Sequence, residues 1–182
     1  MRPVVLTVPH GCPKAICGNN HEGDFLAPQI AWELYQKLTK EEIQCYLFMN
    51  PISREYCDMN RPESRNTPFR NSIIQTLFRY PNSILIDIHS YPPTGKWSKW
   101  DIILLKSWGY SSPYIIEKFK NMLKQTGLKV AVREAHEQND IVISATMLGH
   151  DSILIEGNEK FKNRIHALST PITNVVTELV KS

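Results

Sequence analysis

Residues 83–93 read SILIDIHSYPP. Ile84, Leu85, Ile86 and Ile88 make this a short apolar run of the kind that forms a buried strand. Asp87 and His89 enter before the run has ended. Two residues apart on a strand, they face the same side. Pro92-Pro93 then stops the strand. A carboxylate and an imidazole at the end of a core strand need a reason, and the rest of the chain supplies candidates.

Working outward, similar apolar runs lie at 3–8 (PVVLTV), 43–49, 101–106, 128–132 and 151–157, and each reads as a strand. Between them, 24–38, 68–80, 112–125 and 170–181 carry apolar residues at helical spacing. Pro28 falls near the start of the first of these helices and Pro171 near the start of the last, positions a helix tolerates. Segment 50–67 is polar and rich in Arg, Asn and Pro, which predicts a long loop. His136 falls in a loop before a possible further strand. The alternation predicts one α/β domain over 1–182, a three-layer α/β/α fold around a mostly parallel or mixed sheet.

Composition narrows the function classes. A net charge of +3 with interleaved acids and bases gives no basic stripe, so a nucleic-acid partner is not expected. No window approaches the ~18 apolar residues of a membrane span, and the N-terminus turns polar too quickly for a signal peptide. The four cysteines form no CxxC pair. Reduced thiols in a cytoplasmic protein are the expectation, with Cys12 a small buried thiol.

In open α/β sheets, ligands bind beyond the carboxyl ends of the strands. The polar residues ending these strands are His10, Asp87, His89 and Glu156. Two strand-end histidines suggest a catalytic zinc ion, which takes three protein ligands and keeps one position open. His10 and His89 are the pair. Glu22 or Asp24 is the third ligand, with Asp24 preferred because it opens the first amphipathic helix. Asp87 is expected to accept the second ring N–H of a ligating imidazole, His10 being the expected recipient. Glu156 is the candidate general base. In the loop SREYCDMNRPES (53–64), Arg54 and Arg61 suit a substrate carboxylate, Asn60 a neutral hydrogen bond, and Asp58 a buttress for either arginine.

VPHG, SREYCDMNR, LIDIHS and ILIEG, in that order, resemble the N-formylglutamate amidohydrolase family. More broadly, they resemble the zinc exopeptidases, with the carboxypeptidases and aspartoacylases. The resemblance spans residues 4 to 157. It implies a hydrolase-like α/β fold of the zinc exopeptidase type and one zinc ion on His10, Asp24 and His89. It also implies Asn60 and Arg61 on the substrate carboxylate, and Glu156 as the base. The chain departs from the pattern at Gly11-Cys12, where the family usually has Ser and then Gly, and Pro13 stands where a His-x-x-Glu motif would place its Glu.

The expected activity is cleavage of a C–N amide bond in a small acidic amide or a peptide. A peptidoglycan amidase or carboxypeptidase of the same metal logic is the first alternative, and a non-catalytic binding domain the second. HEGDF and HEQND lack the second histidine of HExxH. His21 is a distant ligand candidate, His136 a solvent-exposed residue and His150 a turn residue. KWSKW (96–100) is either a wall or flap of the pocket or packing beneath a surface loop.

Overall fold

A computed structural model describes residues 1–12, 24–107, 112–135 and 139–181. Among them, strands β1 (Val4–Val8), β2 (Cys45–Met49), β3 (Ile84–Tyr91), β4 (Ile102–Lys106), β5 (Val130–Glu134) and β6 (Asp151–Asn158) form one sheet. Five helices follow in chain order: α1 (Ala27–Lys40), α2 (Pro68–Arg79), α3 (Pro113–Gln125), α4 (Asp140–Met147) and α5 (His166–Lys181). The strand order is β2-β1-β3-β6-β4-β5. All neighbours run parallel except β4, which is antiparallel to β6. This is the expected mixed α/β sheet with helices on both faces.

The alternation of side chains along each strand builds two cores. Val4, Leu6 and Val8 of β1, Ile84, Ile86 and Ile88 of β3, and Ile153 and Ile155 of β6 pack against α1, α3 and α5. The opposite face carries Val5, Leu85, Leu154, Ile103 and Leu105, which pack on Ile73 and Leu77 of α2 and on Ile141, Val142 and Ala145 of α4. On this second face the apolar residues stop midway. Thr7 follows Val5, and Asp87 and His89 follow Leu85. Glu156 follows Leu154 and lies in register with His89. The sheet thus turns polar toward the carboxyl ends of β1, β3 and β6.

Two elements differ from expectation. The segment after His136 is not a strand but α4. Its β-branched residues favour a strand locally, yet its first amides are held from elsewhere. Asp140 N–H donates to Asn60 O (3.2 Å) and Ile141 N–H to Asn60 Oδ1 (3.2 Å). The closing helix begins at His166, so Pro171 lies inside it rather than near its start. Turn bonds from Ala167 and Leu168 already wind the chain before the proline, and buried Leu168 and Ile172 anchor it on either side. No described helix is long and apolar enough to cross a membrane.

Candidate active site and metal centre

His10 lies just past β1, where Pro9 and His10 begin the turn. His89 projects from β3 and Glu156 from the neighbouring position of β6. Asp24 approaches from the chain entering α1, its N–H bonded to His10 O (3.2 Å). It does not cap that helix: the N-cap is Leu26, without a side-chain cap bond. Its carboxylate Oδ2 instead lies 2.8 Å from His89 Nδ1 and 3.4 Å from His10 Nδ1. One ligand atom from each of the three residues lies within 4.8 Å of the others.

His10 Nδ1 and Asp24 Oδ2 are buried and make no hydrogen bond. Buried polar atoms without partners are costly and need an explanation. Two nitrogens and a carboxylate oxygen facing one point form a donor set that fits zinc, and a divalent ion there would satisfy both orphaned atoms.

Behind each imidazole stands a carboxylate. His10 Nε2 is 2.8 Å from Asp58 Oδ1, and His89 Nε2 is 3.1 Å from Asp87 Oδ2. With Nε2–H donated backward, each Nδ1 lone pair is left to face the centre, the arrangement that orients metal-binding histidines. Asp87, expected to pair with His10, pairs with His89 instead. His10 sits beyond the strand, whereas Asp87 lies two residues before His89 on the same face. The loop returns Asp58 under His10 instead.

Thr7, opposite Asp87 in register, donates its hydroxyl to Asp87 Oδ1 (2.6 Å). Its alternation with Val5 puts it on the face that turns polar, the one sign in the sequence of this contact. Asn60 has a structural duty beyond the expected one. It is 1% exposed, and its Nδ2 donates to Asp87 Oδ2 (3.1 Å) while its Oδ1 accepts from Ile141 N–H. An amide bonded at both ends braces the site from within, and the residue also lines the cleft described below. Asp140 in turn is clamped by Arg65 and Arg70.

The electrostatics follow from this crowding. Burial opposes ionisation of Asp24, but the facing His89 and His10 outweigh it and bring the carboxyl down to about 2. Asp58 is likewise buried, yet His10 holds it well below the usual carboxylate range. Burial disfavours charge on both histidines, but their acidic partners raise them: Asp24 and Asp58 for His10, Asp87 and Asp24 for His89. Burial, opposed by His89 and reinforced by Asp24, pushes the Glu156 carboxyl up to about 7.

His10, Asp24, His89 and Glu156 line a cleft of about 340 Å³. On one side Arg54 Nε (2.9 Å) and Arg61 (3.5 Å) both reach Asp58 Oδ2, so the expected buttress holds both arginines at the rim. On the other side stand Tyr91 and Trp97, edge to face at 5.8 Å. KWSKW therefore divides. Trp97 is a wall of the cleft, while Trp100 lies under Lys99 and Arg133 and accepts the Tyr91 hydroxyl on its carbonyl (2.8 Å).

A second set of bonds fixes the chain around Asp24. Ser90 Oγ accepts from Leu26 N–H (3.1 Å) and donates to Glu159 Oε1 (3.0 Å), which also accepts from Phe25 N–H (3.2 Å). Neither residue was singled out in the sequence. His150 is buried rather than a simple turn residue, its ring against Ser83 Oγ (3.0 Å). Cys12 is disulfide-bonded rather than a free thiol. Pro13, His21, Glu22 and His136 lie outside the described residues.

No protein-family model matches the sequence, and no curated protein matches it. Solved structures do resemble its fold. An N-formylglutamate amidohydrolase from Ralstonia eutropha superposes with a TM-score of 0.68 at 13% identity, over 99% of this chain and 93% of that one. The catalytic domain of CwlV, an N-acetylmuramoyl-L-alanine amidase from Bacillus (Paenibacillus) polymyxa, gives 0.66 at 14% identity over 100% and 99%. The N-acetylmuramoyl-L-alanine amidase AmiC2 of Nostoc punctiforme gives 0.63 at 14% over 100% and 98%. The chain thus shares an α/β fold with amide-cleaving enzymes of two kinds.

Proposed function

We propose that this chain is a zinc-dependent amidohydrolase that cleaves a C–N amide bond in a small substrate bearing a carboxylate, such as an N-acyl amino acid. One observation carries the reading. His10 Nδ1 and Asp24 Oδ2 are buried without a hydrogen bond beside His89 Nδ1, and Glu156 adjoins them in register. His10, Asp24 and His89 would hold the ion, with Asp58 and Asp87 fixing the two rings. When bound, the ion supplies polarisation of the scissile carbonyl and a lower pKa for attacking water.

The chain's own residues do the rest. Glu156, beside His89 in register at the end of β6, is placed to carry a proton between water and the amide nitrogen. It takes a proton from the attacking water at a carboxylate oxygen as the C–O bond forms. It returns that proton to the amide nitrogen as the C–N bond breaks, leaving a carboxylic acid and an amine. Arg54 and Arg61 offer guanidinium groups to the substrate carboxylate, a geometry suited to bidentate pairing. Tyr91 and Trp97 shield the opposite side from water.

The likeness to N-acetylmuramoyl-L-alanine amidases favours a second reading, cleavage of a peptidoglycan amide. The first reading rests on Arg54 and Arg61 in the cleft wall, which suit a small substrate's carboxylate. The test is to measure zinc content after loading and dialysis, then amine release from an N-formyl and an N-acetyl amino acid and from a muropeptide. Stoichiometric zinc with turnover of the small amides supports the proposal. Turnover of the muropeptide alone selects the second reading. Zinc-free, inactive protein overturns both.

A further inference from the structure

We infer that Ser90 and Glu159 are positioning residues for Asp24 and thereby set how tightly the site holds its metal; this rests on the metal-site reading above. Alternation on β3 gives adjacent residues opposite duties. His89 points to the face carrying Asp87 and Glu156, and Ser90 points to the face covered by α1. The chain entering α1 must cross the end of the sheet to bring Asp24 between the two histidines. Three bonds hold it there: Asp24 N–H to His10 O (3.2 Å), Leu26 N–H to Ser90 Oγ (3.1 Å) and Phe25 N–H to Glu159 Oε1 (3.2 Å). Ser90 Oγ also donates to Glu159 Oε1 (3.0 Å), so the two side chains act as one unit.

The unit replaces something α1 lacks. Leu26, at the N-cap, offers no side-chain acceptor, and the first turn holds no acidic residue. Ser90 and Glu159 supply acceptors from β3 and from the turn after β6, where a carboxylate is also favoured by the helix dipole. One acceptor comes from β3, which carries His89, and the other from the turn directly after β6, which carries Glu156. Moving Asp24 relative to the histidines therefore requires breaking these bonds first. Groups that orient ligands from outside the coordination sphere are typically worth ~10–100-fold in metal affinity.

The experiment measures zinc affinity by competition with a chromophoric chelator, together with the visible absorption of the cobalt(II)-loaded protein. It compares wild type with Ser90→Ala, Glu159→Ala and Glu159→Gln. Ser112→Ala serves as a control for loss of a helix cap, because Ser112 caps α3 away from the site. The expected result is at least about tenfold weaker zinc binding and an altered cobalt spectrum for Ser90→Ala and Glu159→Ala. Glu159→Gln, which keeps the Oε1 acceptor, stays near wild type. Ser112→Ala lowers the melting temperature without changing affinity. Should Glu159→Ala fail to fold, Ser90→Ala decides alone, since it removes only one hydroxyl. Wild-type affinity and spectrum in Ser90→Ala overturn the inference while leaving the metal site intact. A wild-type protein that binds no zinc overturns the metal reading and this inference together.

Discussion

Asp58→Asn separates the two duties that the structure gives one carboxylate. Oδ1 holds His10 Nε2 at 2.8 Å and the Asn60 N–H at 2.9 Å, while Oδ2 faces Arg54 Nε at 2.9 Å and Arg61 at 3.5 Å. Asparagine keeps one acceptor, enough for the Asn60 N–H, so the loop retains its turn. It loses the charge that fixes the His10 tautomer and tethers both arginines. A hydrogen bond to a charged group contributes about 1.5–3 kcal/mol, and Asp58 is only 16% exposed, so little of that is lost to solvent screening. Weakening the His10 bond by this amount corresponds to roughly 10–100-fold in zinc affinity. Released arginines raise KM for a carboxylate substrate, while kcat at saturating zinc and substrate falls little because Glu156 is untouched. The assay is chelator competition for zinc, then steady-state kinetics with zinc in excess. Unchanged zinc affinity with unchanged KM would refute both duties.

Glu156→Gln is expected to keep zinc and lose turnover by roughly 10²–10⁴-fold; full activity in single-turnover assays removes Glu156 as the base. Asn60→Ala is expected to lower stability by about 1–3 kcal/mol, because it leaves the Ile141 N–H unpartnered. Urea denaturation would show this, and a neutral effect would mean the brace is not needed. The pH dependence has a definite sign. His10 and His89 are raised above 6.5, so without metal their contribution to stability is full below pH 6.5 and is lost as pH rises through the folded values. Glu156, raised from 4.5 to about 7, works in the same direction between those values. Asp24, lowered from 3.8 to about 2, contributes above pH 3.8 and loses that as pH falls toward 2. The zinc-free protein is therefore expected to melt lower at pH 8 than at pH 6. Zinc, which needs neutral imidazoles, should stabilise more at pH 8. Calorimetry with and without zinc checks this, and parallel profiles would contradict it.

Much of this was legible in the residues. Uninterrupted β-branched and aliphatic runs mark β1, β3 and β6, and the polar residues that end them, His10, His89 and Glu156, meet because parallel strands bring their carboxyl ends together. Which carboxylate backs which histidine was not legible. That depends on how the loop after β2 returns over β1, a contact between residues 48 apart in the chain. Strand alternation says only that Asp87 and His89 share a face, and both rings were within conceivable reach. The same loop hides a second role of Asn60, which reads from sequence as a hydrogen-bonding residue for substrate until α4 docks on it. The α4 sequence, IVISATM, prefers a strand by composition. Its first amides find their acceptors on Asn60, and Asp140 finds Arg70, so tertiary contacts override the local preference.

The fold and the site are also coupled through register. β3 is central, paired with β1 on one side and β6 on the other. A slip of one residue would turn His89 and Asp87 toward α1 and bring Ile86, Ile88 and Ser90 to the face of the candidate site. It would break the Thr7–Asp87 bond, strip Leu26 of its acceptor and bury a carboxylate among Ile30, Leu34 and their neighbours. Burying an unpaired carboxylate costs several kcal/mol even after relaxation, a large share of the roughly 5–15 kcal/mol that stabilises a domain. The polar residues of SILIDIHSYPP therefore do more than line the candidate site. They penalise wrong pairings of the strand that an all-aliphatic sequence would accept, so the same side chains that form the candidate site also specify its register.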